Sequence, residues 1–142
     1  MNTPIVSGAD ICKYIPQRQP IVMLDSFYGI DADGVSVSAL TILPDNLFVE
    51  DGHIIDSGII EHIAQSGAMR IGYESVCAGG EVRLGLIGSV NKLTINRLPL
   101  IGEIMTTTMQ FEAQVGDVTL IGATVRVGDE VIASGKMKVA MK

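Results

Sequence analysis

Tryptophan is absent from this chain, aromatic residues make up only 4%, and its 142 residues include just 2 cysteines and 2 histidines. Cys12 and Cys77 lie far apart with no C-x-x-C spacing. A cysteine–histidine zinc site would need every Cys and His in the chain, and none has ligand spacing. Both thiols read as reduced and structural, and no metal is expected. Positive charge is scarce: 10 Lys and Arg against 16 Asp and Glu give a net charge of −6. A duplex-binding protein shows the opposite balance, which counts against nucleic acid as a partner. No apolar run approaches the roughly eighteen residues of a membrane span. Met1-Asn2-Thr3-Pro4-Ile5-Val6 has neither the basic start nor the apolar core of a signal peptide. The expected location is the cytoplasm. Repeats, low-complexity runs and Pro/Ser-rich linkers are also missing, so the length predicts one domain over 1–142.

What the chain does have is core-forming material. Hydrophobic residues reach 47% against 18% charged, with 16 Gly and 7 Met, a composition that excludes a disordered acidic segment. Between Asp56 and Cys77, Ile59, Ile60, Ile63, Ala64, Gly67, Ala68, Ile71 and Gly72 recur at steps of one, three and four, the helical period. Asp56 or Ser57 suits the N-cap, and Gly79-Gly80 the end. The remainder reads as strands: Pro20–Tyr28, Gly34–Ile42, 84–95 with a phase change that predicts a bulge near Asn91, 104–115, 118–127, and a last strand after a Gly128-Asp129 turn. That last strand places Val131, Ala133, Gly135, Met137, Val139 and Met141 on one face. No helix alternates with these strands, so the expected class is α+β: an antiparallel sheet curled around one long central helix. A sheet of about six strands leaves edges that a second copy would hide.

The two histidines, His53 and His62, bracket the start of that helix. An imidazole and the Glu61 carboxylate near a helix N-terminus are suitable parts for general acid–base chemistry. The unpaired N–H groups there can hold a developing oxyanion. Each residue also has a plainer reading. Glu61 is favoured in a first turn by the helix dipole alone, His53 can simply fill a loop, and Asp51, Glu50 and Asp56 suit solvated loop and cap positions. His62 can face solvent, and it points about 100° around the helix from Glu61, which makes it a weaker catalytic candidate than His53.

At these residues the sequence resembles a family. Asn46-Leu47-Phe48-Val49-Glu50-Asp51-Gly52-His53, followed by Gly58-Ile59-Ile60-Glu61-His62-Ile63-Ala64-Gln65, is similar to the 3-hydroxyacyl-[acyl carrier protein] dehydratases of the hot-dog fold. Tyr14-Ile15-Pro16-Gln17-Arg18-Gln19-Pro20-Ile21-Val22-Met23-Leu24-Asp25 resembles that family's opening motif. Gly88-Ser89-Val90-Asn91-Lys92-Leu93, Arg97-Leu98-Pro99 and Gly102-Glu103 correspond further on, so the likeness runs from Ile11 to Met141. Three differences stand out: Ile54-Ile55-Asp56 replaces the family's Pro-Gly turn after the His, the span from His53 to Glu61 is shorter, and Gln17 stands for a His. The shortened loop is similar to the branch linked to aryl-polyene and flexirubin-type pigment pathways.

The resemblance implies a dimer in which His and Glu meet across the subunit interface beside an acyl tunnel, and an acyl carrier protein delivering a 3-hydroxyacyl thioester. It implies His53 as the base at C2 and Glu61, kept protonated by apolar neighbours, as the acid at the departing hydroxyl. Ser57 and Gly58 would serve the enolate-like oxygen through their N–H groups, and Gln65 would join them in binding substrate. No metal or redox cofactor is called for. Two other functions fit the same residues: a thioesterase in which a carboxylate activates water, and a non-catalytic acyl-binding protein. An acidic carrier would need basic partners, and Arg70, Arg83, Lys92, Arg97, Lys136 and Lys138 are the candidates.

Overall fold

The computed structural model describes residues 3–80 and 86–140, with residues 86–88 described by their backbone alone. Leu84, Arg83 and Met141, which the sequence reading placed in strands or on a carrier surface, lie outside the described residues. The strands are β1 (Val6–Ser7), β2 (Ser26–Ile30), β3 (Val35–Thr41), β4 (Val49–Glu50), β5 (His53–Ile54), β6 (Leu86–Ile95), β7 (Ile104–Val115), β8 (Val118–Val127) and β9 (Glu130–Ala140). A single α-helix, α1, spans Asp56–Cys77, and a 3-10 turn covers Gly8–Lys13. Seven strands form one antiparallel sheet in the order β1-β2-β3-β7-β8-β9-β6, while β4 and β5 make a separate hairpin. The sheet therefore has β6 at one edge, and the helix lies against its inner face.

Helix α1 has the expected bounds and a different cap. Its N-cap is Ile55, whose N–H donates to the Phe48 carbonyl at 2.9 Å, so tertiary pairing rather than a capping side chain sets where the helix begins. At the other end Gly79 takes φ +81°. Gly79 and Gly80 donate to the carbonyls of Val76 and Ser75, the glycine-terminated pattern the sequence announced. Met105, Met109, Met137, Ile59 and Ile63 pack between helix and sheet, and a second cluster gathers Ile11, Ile15, Phe27 and Met69. Gly72 is required for contact: a Cβ there would collide with the backbone carbonyl oxygen of Tyr14.

Three strand readings change. Pro20–Asp25 belongs to no strand, and β2 begins only at Ser26; the Ile21 carbonyl and both polar groups of the Met23 backbone are claimed by helix side chains, while Asp25 N–H reaches the Ala39 carbonyl. In β9 a register shift opposite Val125/Arg126 puts both Ile132 and Ala133 inside and leaves Val131 38% exposed. Phe111 and Val115 are exposed because β7 carries a bulge between Phe111 and Ala113 and runs on to the β7–β8 turn. The bulge near Asn91 is present, between Asn91 and Thr94, with Lys92 at φ +53°.

Candidate active site

The Asp51-Gly52 pair does the local folding that places His53. Both residues have positive φ, +53° and +84°, as a two-residue turn of the primed kind requires and as Asp-Gly tolerates best. The turn closes β4 onto β5 with Glu50 opposite His53. His53 is half-buried, and its Nδ1 lies 3.2 Å from the Ile54 carbonyl oxygen. A proton on Nδ1 donates there and leaves Nε2 with a free lone pair, the tautomer a base needs.

One turn into α1, Glu61 is half-buried and its Oε2 accepts a hydrogen bond from Gln65 Nε2 at 2.8 Å. No other hydrogen bond engages this carboxyl group among the described residues, and none joins it to His53 within the chain. Gln65 is fully buried. Its Oε1 accepts the Met23 N–H at 2.6 Å, and its second amide hydrogen goes to the Ile21 carbonyl at 2.8 Å. With both amide hydrogens and the carbonyl engaged, Gln65 has one orientation, and it holds Glu61 rather than presenting itself to a ligand.

The N–H groups expected to serve an oxyanion are also engaged. Ser57 is exposed and its N–H donates to Asp56 Oδ1 at 2.9 Å, while the Gly58 N–H donates to the Ile55 carbonyl at 2.9 Å. Gly58 is buried for packing: a Cβ would stand 2.7 Å from side-chain carbons of both Ile54 and Phe48. The bare glycine lets α1 start directly against the hairpin.

His62 does not face solvent. It is completely buried, with Nδ1 2.8 Å from the Met23 carbonyl and Nε2 2.7 Å from Thr107 Oγ1. Burial pushes its pKa down from 6.5 to about 4, against smaller upward pulls from the Met23 carbonyl and the Asp25 charge. The imidazole is therefore neutral at pH 7, with Nδ1–H donating to Met23 and Nε2 accepting from Thr107. Together His62 and Gln65 grip both sides of Met23, so its backbone needs no strand partner.

Three basic candidates for a carrier surface are likewise committed inside the chain. Arg70 is 5% exposed and its Nη1 serves the carbonyls of Gly34 and Met109 and the Ser36 hydroxyl. Arg97 is forked onto Glu103 and Glu130, and Lys136 pairs with Glu112. Lys92 and Lys138 remain exposed. The signal for His62 and Arg70 was present: with Ile59, Ile63 and Ser66 they share one helical stripe at steps of three, four, seven and eleven.

A half-buried carboxyl on the single long helix of a wrapped antiparallel sheet, behind a histidine-bearing hairpin, defines the hot-dog dehydratase class. Comparison with known proteins agrees. The ApeP-like family, described as ApeP dehydratase, matches residues 9–142. The chain belongs to this ApeP-like dehydratase family and is an enzyme of that type. It is 23% identical over 137 residues to the 3-hydroxyacyl-[acyl-carrier-protein] dehydratase FabZ of Syntrophomonas wolfei, covering 93% of each chain. In fold it resembles a chain of the dehydratase heterocomplex ApeI:P from Xenorhabdus doucetiae, with TM-score 0.83, 16% identity, and coverage of 100% of this chain and 93% of that one. A hypothetical thioesterase with coenzyme A from Streptococcus pneumoniae shares the fold at TM-score 0.64 and 9% identity, over 82% of this chain and 84% of that one. No helix among the described residues is long and apolar enough to cross a membrane.

Proposed function

We propose that the chain dehydrates a 3-hydroxyacyl thioester carried by an acyl carrier protein, with His53 and Glu61 as the reacting groups. The observation that carries this reading is the state of Glu61: one carboxyl oxygen is fixed by Gln65 Nε2 and the other is left for a substrate. Nε2 of His53 takes a proton from C2, electron density moves onto the thioester carbonyl, and the C3–O bond breaks as Glu61 gives its proton to the departing hydroxyl. The products are a 2-enoyl thioester and water. The proton left on His53 and the one missing from Glu61 balance, so one proton exchange resets the pair. The engaged N–H groups at residues 57 and 58 leave the enolate oxygen without a preset donor inside one chain. The donor then comes from a Ser57 N–H freed by rotation of the exposed Asp56 side chain, or from a second subunit.

A second subunit suits the rest of the site. His53 and Glu61 make no hydrogen bond to each other within one chain, and β6 has no partner on its outer side among the described residues. Leu100, which bridges to His53, is 51% exposed, and Ile60, next to Glu61, is 40% exposed. Apolar surface beside both groups suits an acyl chain or a facing subunit. Pairing across β6 would continue the sheet through a two-fold axis, and the Xenorhabdus relative works within a heterocomplex. The test is to incubate the protein with 3-hydroxyacyl and 2-enoyl thioesters, on a carrier protein and on coenzyme A, while following enoyl absorbance and free thiol. Interconversion without thiol release is expected. Thiol release instead would establish thioester hydrolysis, and neither signal would leave an acyl-binding protein. His53→Ala and Glu61→Gln should each lower turnover about 10²–10⁴-fold, with the double variant losing far less than the product of the two.

A further inference from the structure

Strands of two residues cannot hold a hairpin steady in water, and β4 meets β5 only at Val49↔Ile54 and Glu50↔His53. Besides the Ile55 N–H bond to the Phe48 carbonyl at the hairpin's base, a further hold on His53 comes from residues 99–101, laid along the hairpin's other side. Ile54 N–H donates to the Pro99 carbonyl at 2.9 Å, Ile101 N–H donates to the Gly52 carbonyl at 3.1 Å, and His53 bridges to Leu100. This segment belongs to no strand of the main sheet, and backbone bonds tie only its flanks to that sheet: Asn96 N–H donates to the Ile132 carbonyl at 2.7 Å, and Gly102 N–H donates to the Ile42 carbonyl at 2.8 Å.

Three charged side chains brace the stretch between those ties. Arg97, just before the segment, meets Glu103, just after it, through Nη1–Oε1 at 2.8 Å and Nη2–Oε2 at 3.0 Å. Its Nε and Nη2 reach Glu130 at 3.0–3.2 Å, and Glu130 opens β9, so the clasp is anchored to the main sheet. Glu103 Oε1 also accepts the Leu100 N–H at 2.7 Å, which ties the carboxylate to the middle of the segment. The forked arrangement matters, because a single exposed ion pair contributes little whereas planar two-point contacts also fix direction. The pairing with Arg97 and the Leu100 N–H hold the Glu103 carboxyl below its usual range.

We propose that Arg97, with Glu103 and Glu130, is a positioning residue for the reaction: the clasp holds the 99–101 segment, and that segment holds the His53 backbone in register. The inference rests on the reading of His53 as the base. Small displacements of a reacting group are costly in turnover even when the fold survives.

The test uses the full chain and two substitutions, at half-buried Arg97 (Arg97→Gln) and exposed Glu130 (Glu130→Gln), with amide exchange and kinetics measured side by side. The Ile54 and Ile101 amides should exchange about fivefold faster or more in both variants, through local opening, while amides in β8 stay unchanged. Turnover should fall about tenfold or more, as for a misplaced reacting group, with kcat affected more than KM. Arg97→Lys, which keeps the charge and loses the fork, should recover only part of the loss. Salt near 1 M, where the screening length is about 3 Å, should slow the wild type and change Arg97→Gln little. Unchanged exchange at Ile54 and Ile101 overturns the clasp. Faster exchange with unchanged kcat overturns its positioning role. His53→Ala, assayed alongside, reports separately on the base: full turnover there removes the base assignment and this inference with it, whatever the exchange shows.

Discussion

Acidification should loosen this protein through one buried side chain. His62 is neutral in the folded chain with a pKa near 4 and titrates near 6.5 when unfolded. A lowered folded-state value means the unfolded chain binds more protons between those limits, so stability is fully present above about pH 6.5 and is lost as pH falls toward about 4. At about 1.4 kcal/mol for each tenfold in the protonation equilibrium, the whole loss is about 3 kcal/mol. Linkage puts about 1 kcal/mol of it near pH 5.5 and about 2 kcal/mol near pH 5. The cause is steric as well as electrostatic: a proton on Nε2 would point at Thr107 Oγ1, 2.7 Å away, forcing its hydroxyl to turn from donor to acceptor.

The comparison that isolates this effect is wild type against His62→Asn, unfolded by urea at a fixed protein concentration between pH 7.5 and 5. Asparagine keeps a donor for the Met23 carbonyl and strands the Thr107 hydroxyl, so the variant should start about 1–3 kcal/mol less stable at pH 7. It should then lose less on acidification, and the two curves should approach one another by about 2 kcal/mol near pH 5. Acids common to both chains, Glu103 included, cancel in the difference. Parallel curves across that range would refute the buried, neutral histidine. A ring titration near 6.5 for the second histidine, readable because the chain holds only two, would do the same.

Gln65→Leu should cut kcat more than it raises KM, because Glu61 loses its orienting bond; the unpaired Met23 N–H should also cost about 1–3 kcal/mol in urea unfolding. Gly72→Ala and Gly67→Ala should separate sharply in thermal unfolding. At 72 the new methyl meets the Tyr14 backbone and should cost about 1–3 kcal/mol, whereas at 67 it meets only the flexible end of Met137 and better helix propensity offsets about 1 kcal/mol. Arg70→Met should destabilise the chain by about 3 kcal/mol or more, since it strands the acceptors at Gly34 and Met109; a cost within 1 kcal/mol would show that water can replace the guanidinium.

The limits of helix α1 were legible because its small and apolar residues keep one period and its glycine ending is local chemistry. Its cap residue was not, since Ile55 as N-cap depends on Phe48, a residue outside the helix. Residues 20–25 look like a strand by composition, and nothing local says that Gln65 and His62, some forty positions on, will take the hydrogen bonds a neighbouring strand would have made. Solvent was a plain reading for His62 because half of an ordinary helix lying on a sheet faces water, and a helix wrapped by its sheet does not follow that pattern. The candidate pair His53 and Glu61 was readable from motif order, but Gln65 as the support for Glu61 requires the position of the Met23 peptide, which only the fold supplies.

The polar residues buried along α1 share one logic. His62, Gln65 and Arg70 each spend their hydrogen bonds on backbone groups: Met23 from both sides, Ile21, Gly34 and Met109. Leucines at those positions would bury well but leave those carbonyls and N–H groups unpaired, and unpaired buried groups cost more than the apolar gain. The helix can therefore sit at only one depth and rotation within the sheet, because a slide by one residue would break several of these bonds together. Glu61 takes its own direction from that network through Gln65, while the His53 backbone is held between its β4 partner Glu50 and the 99–101 segment. The two groups that the proposed mechanism sets on adjacent carbons are thus fixed by separate frameworks that meet where the hairpin enters the helix, where Gly58 packs without a side chain against Ile54 and Phe48. A methyl group at 58 would push the helix away from the hairpin and alter the separation of acid and base while leaving both side chains intact. Gly58→Ala should accordingly lower kcat well beyond its effect on unfolding, and equal, proportionate losses in both would show that the two frameworks are not joined at that point.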